Sequence, residues 1–313
     1  MTVVRPSITP YNPQPVQRLV SVAAQRWSNK TAIIDGERAV TFTELDTYSG
    51  RLGTALADLG VHKGNFVALL APNCIEFEIS FFGILKAGAT VTTINSGYRE
   101  REVAAQLNAS GAEVLIVHST LVEMATRAAK DVRMLKRSIV ITDNADDSAS
   151  FWGLIDSTPN EPRDFDTDVA NDLAALPFSS GTTGLNKGVM LTHANLHANV
   201  RQLVERDEEN VVRENDVVLV HLPLFHIYGM TVLMQQALYV GATQIMMGRF
   251  EMANFLSLIQ HHRVTVLYTA PPVGVGLSQT SLVNQYDLGS LRFVMFGAAP
   301  MSADLQSRIE KRL

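Results

Sequence analysis

The chain has almost no cysteine. Cys74 is the only one among 313 residues, so no internal disulfide can form, and a reducing compartment is expected. Long apolar runs are missing too. The most apolar region, residues 66–94, is broken by Pro72, Glu76, Glu78 and Lys86, and no stretch reaches the roughly 20 uninterrupted apolar residues of a membrane span. Residues 1–15 carry several prolines and no apolar core, unlike a secretory leader. No basic stripe or arm accompanies the net charge of -5, so nucleic acid is not an expected partner. Charge as a whole is sparse at 18%, against 46% hydrophobic residues, a balance that suits a large core and excludes wholesale disorder. The expectation is a soluble, cytoplasmic protein of about two domains.

What is present is concentrated in one stretch. Three glycines, four hydroxyl side chains and one lysine lie within the ten residues from Ser179 to Gly188. Glycines let successive backbone N–H groups converge on one point, a nest that suits a polyphosphate. Ser179, Ser180, Thr182 and Thr183 add neutral donors, and Lys187 adds a mobile cation. The Walker pattern needs glycine directly before the lysine and Ser or Thr after it, whereas here Asn186 precedes Lys187 and Gly188 follows it. By composition alone a Gly/Thr-rich surface turn is the commoner explanation of such a stretch.

Around this loop the periodicity predicts a mixed chain. Val16, Leu19, Val20, Ala23 and Trp27 recur at helical spacing. Thr31–Ile34 and Val40–Phe42 flank Asp35-Gly36, a hairpin signal. Thr43 with Asp46 reads as a capping box that opens the next helix. From Phe66 onward short apolar strands alternate with helices, with strands predicted at 66–71, 90–94, 114–117 and 139–142. Residues 143–172 read as a polar surface excursion anchored by Trp152 and Leu154. Leu173–Phe178 is the strand expected to feed the Gly/Thr-rich loop, and a helix is predicted from about His193 to Arg206. A further helix at 233–240 and strands at 217–222, 243–247, 264–268 and 293–296 complete the second half. Such alternation predicts an α/β fold of two mostly parallel sheets with helices on both faces, and ligands of such folds sit beyond the carboxyl ends of the strands.

Two further segments emerge at such ends. Leu222-Pro223-Leu224-Phe225-His226-Ile227-Tyr228-Gly229-Met230 follows a buried strand, and Gly297-Ala298-Ala299-Pro300 follows another, with Ser302 as a helix N-cap. A lone histidine in an apolar segment is more often a core residue, and small residues after a strand are by themselves only a turn. His193 and His197 stand four apart on one helix, but the glutamate of a zinc-protease pattern is absent. A capped surface helix explains them better than a metal.

The order Ser179-Ser180-Gly181-Thr182-Thr183-Gly184-Leu185-Asn186-Lys187-Gly188-Val189 resembles the signature loop of the adenylate-forming acyl-activating enzymes. That family includes acyl-CoA synthetases, 4-coumarate–CoA ligases and beetle luciferases. Only Asn186 departs from it, standing where the family has proline, and the exchange is expected to make the loop more mobile. The resemblance runs from about Trp27 to Leu313 and is nearest to the 4-coumarate–CoA and medium-chain acyl-CoA ligase branch.

It implies an AMP-forming carboxylate–CoA ligase that uses ATP, Mg²⁺ and CoA on an aromatic propenoate or a fatty acid. Ser179, Ser180, Gly181, Thr182, Thr183, Gly184 and Lys187 would hold the β- and γ-phosphates, with Thr183 also available to Mg²⁺. His226 would be the catalytic residue beside the carboxylate and α-phosphate, and Tyr228, Gly229 and Met230 would line the acyl pocket. Gly297, Ala298, Ala299 and Pro300 would wall the adenine, and Arg249 would lie near the CoA path, unless it is an ordinary surface arginine. The expected subdomains are residues 66–215, and residues 16–65 together with 216–313. Later family motifs and the C-terminal lid are missing, so the chain reads as an N-terminal domain portion. It is expected to fold without turning over, and to self-associate through an uncovered sheet edge. Two alternatives stand beside this reading: a non-catalytic nucleotide- or acyl-binding module, and an adenylating enzyme that passes its acyl group to a carrier protein or to oxygen.

Overall fold

In a computed structural model the described residues are 11–142, 150–161, 166–179, 186–205 and 211–312. The chain opens with α1 (Arg18–Trp27), the hairpin β1 (Thr31–Asp35) and β2 (Arg38–Thr41), and α2 (Phe42–Asp58). Alternation follows through β3 (Phe66–Leu70), α3 (Ile75–Lys86), β4 (Thr90–Thr93), α4 (Glu100–Ser110), β5 (Val114–His118), α5 (Val122–Ala129) and β6 (Arg137–Ile141). Then come α6 (Phe151–Ser157), β7 (Leu173–Ala175), β8 (Phe178–Ser179), β9 (Lys187–Gly188), β10 (Leu191–Thr192) and α7 (His193–Val204). The remainder is β11 (Val217–Val220), a π-helix (Tyr228–Gln235) running into α8 (Gln236–Val240), β12 (Thr243–Met246), α9 (Met252–His262), β13 (Val266–Thr269), α10 (Pro271–Gln279), β14 (Phe293–Phe296) and α11 (Ala303–Glu310).

One six-stranded sheet has the order β10-β7-β4-β3-β5-β6 and the other β14-β13-β11-β12-β1-β2, while β8 and β9 form a separate ribbon. Apart from the β10–β7 and β1–β2 pairs, the pairings within the two large sheets are parallel. Each buried strand feeds two cores because successive side chains point to opposite faces. In β3, Val67 and Leu69 join the central cluster while Ala68 and Leu70 join an outer one; in β11, Val218 and Val220 are central and Leu219 is outer. The central layer holds α3, whose residues from Ile75 to Leu85 are all buried. That is why α3 reads as a continuous apolar run instead of an amphipathic stripe.

Four local expectations are corrected. The box that opens α2 is Thr41 with Glu44, not Thr43 with Asp46; the Asp46 carboxylate instead accepts from Lys86 Nζ at 2.6 Å and Ser21 Oγ at 2.8 Å. The 143–172 excursion contains α6, and its anchors are Phe151 and Ile155, both fully buried, with Trp152 only half-buried. Leu173–Phe178 is not one strand. Pro177 has no N–H to continue the ladder, so β7 ends at Ala175 and β8 starts a separate antiparallel ribbon with β9. His193 is buried, not on a helix surface, and its Nδ1 accepts from Val16 N at 3.0 Å, tying the N-terminal arm to α7.

At the far edge of the second sheet β14 has one strand neighbour, and Met295 on it is 45% exposed. Inside, α3 carries two carboxylates. Glu76 accepts from Arg38 at 3.2 Å and from Trp152 Nε1 at 3.2 Å. Among the described residues Glu78 hydrogen-bonds only Gln244 Nε2, at 3.2 Å, and burial pushes it up to about 8 from an ordinary 4.5. Between those values the folded chain keeps a proton that the unfolded chain has released, so stability falls as pH rises, by about 1 kcal/mol per pH unit. Glu78→Gln keeps a partner for Gln244 and removes this slope. Urea unfolding is expected to show the variant gaining on the wild type between about pH 5 and about pH 8. Parallel curves would mean that Glu78 is already charged in the fold.

Candidate functional site

The carboxyl ends of the two sheets meet at one side chain that sequence reading passed over. Asn73, in the turn after β3, is buried, and its Nδ2 donates to Leu222 O at 2.9 Å, Val220 O at 3.1 Å and Met247 O at 3.3 Å. Its Oδ1 accepts from Leu224 N at 2.9 Å. One amide from the first sheet therefore fixes the exits of β11 and β12 in the second. Between these exits lies a pocket of about 280 Å³, walled by Pro72, Asn73, Pro223, Phe225, Gly248 and Phe250 among others. Arg249 is exposed between two of those residues.

The end of β4 adds a second junction. Thr92 Oγ1 donates to Leu176 O at 2.9 Å, and Thr93 Oγ1 to Phe225 O at 2.8 Å. Gln106 Nε2 reaches both threonines, at 3.2 Å to Thr92 Oγ1 and 3.0 Å to Thr93 O. Leu176 leads directly into the β8–β9 ribbon, and Phe225 precedes His226. Neighbouring threonines thus set Leu176, at the entry to the ribbon, and Phe225, at the entry to the histidine segment, relative to each other.

The ribbon presents that loop. Phe178 pairs with Gly188 and Ser179 with Lys187, and Ser179 and Lys187 are both exposed. Ser180, Gly181, Thr182, Thr183 and Gly184 lie outside the described residues. Asn186, where mobility is expected, has its Nδ2 donating to Tyr98 Oη at 2.7 Å. The asparagine thereby supplies by a hydrogen bond some of the restraint that a proline ring would supply through φ.

His226 is exposed, and its Nδ1 accepts from Tyr228 N at 3.2 Å. The helix expected at 233–240 begins earlier and as a π-helix, so Tyr228, Gly229 and Met230 lie inside its first turn. π-turns recur at functional sites because they displace side chains from α-helical register. Gly229 is required there: a Cβ would stand 2.2 Å from Pro223 O. Tyr228 is half-buried, and burial raises its phenol above the ordinary value. Its ring lies against Gly297, where a Cβ would come within 2.7 Å of Tyr228 Oη. Met230 is fully buried in the central core behind this surface.

Gly297 N donates to Thr269 O at 2.9 Å, extending the β13–β14 ladder by one bond. The same carbonyl lies 3.5 Å from Tyr228 Oη. Behind it, buried His221 is held down to about 4 by desolvation and is neutral. Its Nδ1 faces Leu219 O at 3.3 Å, so it carries the proton, and Nε2 accepts from Thr269 Oγ1 at 2.9 Å. Ala298, Ala299 and Pro300 are exposed, and Ala298 adopts a left-handed φ of 69°. Among the described site residues, Tyr228 and Gly297 are in direct contact, with Gly229 next to Tyr228 in the chain. His226 joins them through the Tyr228 backbone, and Lys187 through Leu176, Thr92 and Thr93.

Residues 20–313 match the family model described as AMP-binding enzyme, and the chain belongs to that family. It is 39% identical over 290 residues to 4-coumarate–CoA ligase 3 of Arabidopsis thaliana, covering 91% of this chain and 51% of that protein. A 4-coumarate–CoA ligase of Pinus taeda is 36% identical over 290 residues, covering 91% and 53%. Among solved structures, the N-terminal domain of FACL13 from Mycobacterium tuberculosis superposes with a TM-score of 0.86 at 25% identity, over 95% of this chain and 73% of that one. The anthranilate CoA ligase AuaEII in complex with anthranoyl-AMP gives 0.86 at 28% identity, over 96% and 57%. The chain spans about half the length of the curated relatives it matches.

Asn73, Thr92, Thr93, Gln106 and His221 were not singled out from the sequence. The available signal was polar residues inside otherwise buried strands and turns, where every hydrogen bond must be found internally. Asn73→Ala removes a partner from four backbone groups; Val220 O keeps Met247 N, but the others lose the Asn73 bond, and buried orphans are costly. The expected loss is about 2 kcal/mol or more in chemical denaturation, with faster amide exchange at Leu224. An unchanged midpoint would show that water replaces the amide.

Proposed function

We propose that the chain carries the nucleotide- and acyl-binding part of an AMP-forming carboxylate–CoA ligase. In this reading the carboxylate attacks the α-phosphorus of ATP and releases pyrophosphate; the CoA thiol then displaces AMP. The observation that carries it is the clamp at the end of β4. Leu176, ahead of the loop of phosphate-binding composition, and Phe225, ahead of His226 and Tyr228, are held by adjacent threonines of one strand.

Each residue then has a role. Lys187 and the hydroxyls and backbone N–H groups of the loop receive the β- and γ-phosphates, and Mg²⁺ arrives with them to neutralise their charge, with Thr183 available as a ligand. His226 orients the carboxylate at the pocket mouth. Tyr228 and Gly229 form the acyl wall, with Met230 packed behind them, and Gly297 to Pro300 form the flat side that accepts adenine. Arg249 lies on the rim used by CoA. Prearranged donors are the main resource for such chemistry, because negative charge builds on phosphate oxygens. An aromatic acid is favoured by the Tyr228 face and by the named substrates of the relatives. The reading extends to self-association through the β14 edge, a strand edge being open to pairing.

Binding is the direct test. A 4-coumaroyl sulfamoyl-adenosine, a stable mimic of an acyl-adenylate, is expected to bind the chain saturably in calorimetry. Absence of heat with this mimic and with benzoyl and decanoyl counterparts would sink the proposal. Lys187→Ala is expected to weaken ATP·Mg²⁺ binding about tenfold, the loss of one charge-assisted contact. Unchanged binding would remove Lys187 from the phosphates. His226→Ala is expected to weaken the acyl-adenylate mimic several-fold while leaving the denaturation midpoint in place, since the side chain is exposed. A fall in stability with intact binding would make His226 a packing residue.

A further inference from the structure

A second concavity lies among elements that share no lining residue with the pocket at the sheet ends. It has a volume of about 310 Å³ and is formed by α1, the arm before it, α7 and α8. Its floor is apolar: Leu19, Val22, Trp27 and Leu238 line it. Val22 is 38% exposed, an apolar side chain left open to solvent inside a cleft. The back wall is preformed, because Trp27 stacks on Phe42 at 5.7 Å and presses so closely on Gly241 that a Cβ there would stand 2.4 Å from the indole.

The rim is cationic. Arg18, Arg26 and Arg201 all line the opening. Arg201 is matched by Glu205 and lies over the Tyr11 ring at 4.6 Å. Arg18 donates to the neutral Gln14 at 3.0 Å, and Arg26 lies 6.0 Å from the Trp27 ring centroid. Among the described residues, neither Arg18 nor Arg26 has a carboxylate partner. His197, also in the wall, has a buried Nδ1 without a hydrogen-bond partner among the described residues, which is uncommon.

We propose that this pocket binds a free amphipathic carboxylate, an aliphatic or aryl acid with one anionic head. The guanidinium groups of Arg18 and Arg26 take the carboxylate, whose geometry matches their planar fork. The body lies on Leu19, Val22 and the Trp27 face. A bare inorganic anion leaves that apolar floor unused, and a neutral alcohol leaves the arginines unused. The volume is at the lower end for small-molecule sites and suits a ligand of about a dozen heavy atoms.

The Trp27 indole N–H resonance reports on the site directly, since the chain has only one other tryptophan, Trp152. Either Trp27→Phe or Trp152→Phe assigns it. Titration with decanoate is expected to shift it saturably, whereas 1-decanol and inorganic phosphate are not. Arg26→Ala and Arg18→Ala, both at exposed positions, are each expected to weaken decanoate about tenfold. An excess of the 4-coumaroyl sulfamoyl-adenosine mimic, which has no free carboxylate, is expected to leave the shift in place. Equal response to 1-decanol would reduce the pocket to an apolar groove, and response to phosphate alone would remove the acyl specificity. Displacement by this mimic would assign the signal to the other pocket. Co-sedimentation with phosphatidylglycerol vesicles that Arg26→Ala abolishes would make a bilayer the ligand. Any of these four results overturns the proposal.

Discussion

The hydrogen bonds of Thr92 and Thr93 are the constraint on which the candidate site depends. A buried strand alternates its side chains between two faces, so adjacent residues ordinarily serve different layers. Here that alternation is put to use at a strand terminus, where one hydroxyl reaches Leu176 O and the next Phe225 O. Gln106 from α4 holds both threonines from behind. Two segments about fifty residues apart in sequence are thereby given a common reference. Asn73 supplies the same service one strand over, with a single amide in place of two hydroxyls.

Polar groups of this kind are a costly way to join two sheets, because each must be fully satisfied once water is gone. The central layer shows both outcomes. Asn73 meets four backbone groups, whereas Glu78 and Gln244 meet chiefly each other and each leaves a buried oxygen without a partner. The first arrangement gives rigidity at the sheet ends. The second, deep in the layer between α3 and β12, holds a carboxyl group in its neutral form.

Much of the architecture was legible because period and punctuation carry it. The two sheets and the N-cap at Ser302 follow from patterns within a few residues. What failed to show was anything decided by partners far away in sequence. Thr43 and Asp46 have the composition of a capping box, but Lys86 and Ser21 claim the aspartate. Leu173–Phe178 has the composition of one strand, but Pro177 divides it between two sheets. In the site, the Gly/Thr-rich loop and the histidine segment announced themselves by residue type. Their supports did not, since an asparagine after proline and threonines in a strand look ordinary until their acceptors are known. Asn186 looked like a lost stiffener until Tyr98 was found opposite it.

Ala298 stands at the turn after β14 with a φ of 69°, where glycine would be at ease. An alanine in that conformation costs on the order of 1 kcal/mol, and the fold accepts it beside Gly297, which must stay bare for the Tyr228 ring. The methyl group narrows the range of backbone shapes open to the turn. That shape at Ala298 is therefore imposed by what surrounds the turn and not by the preference of the residue itself.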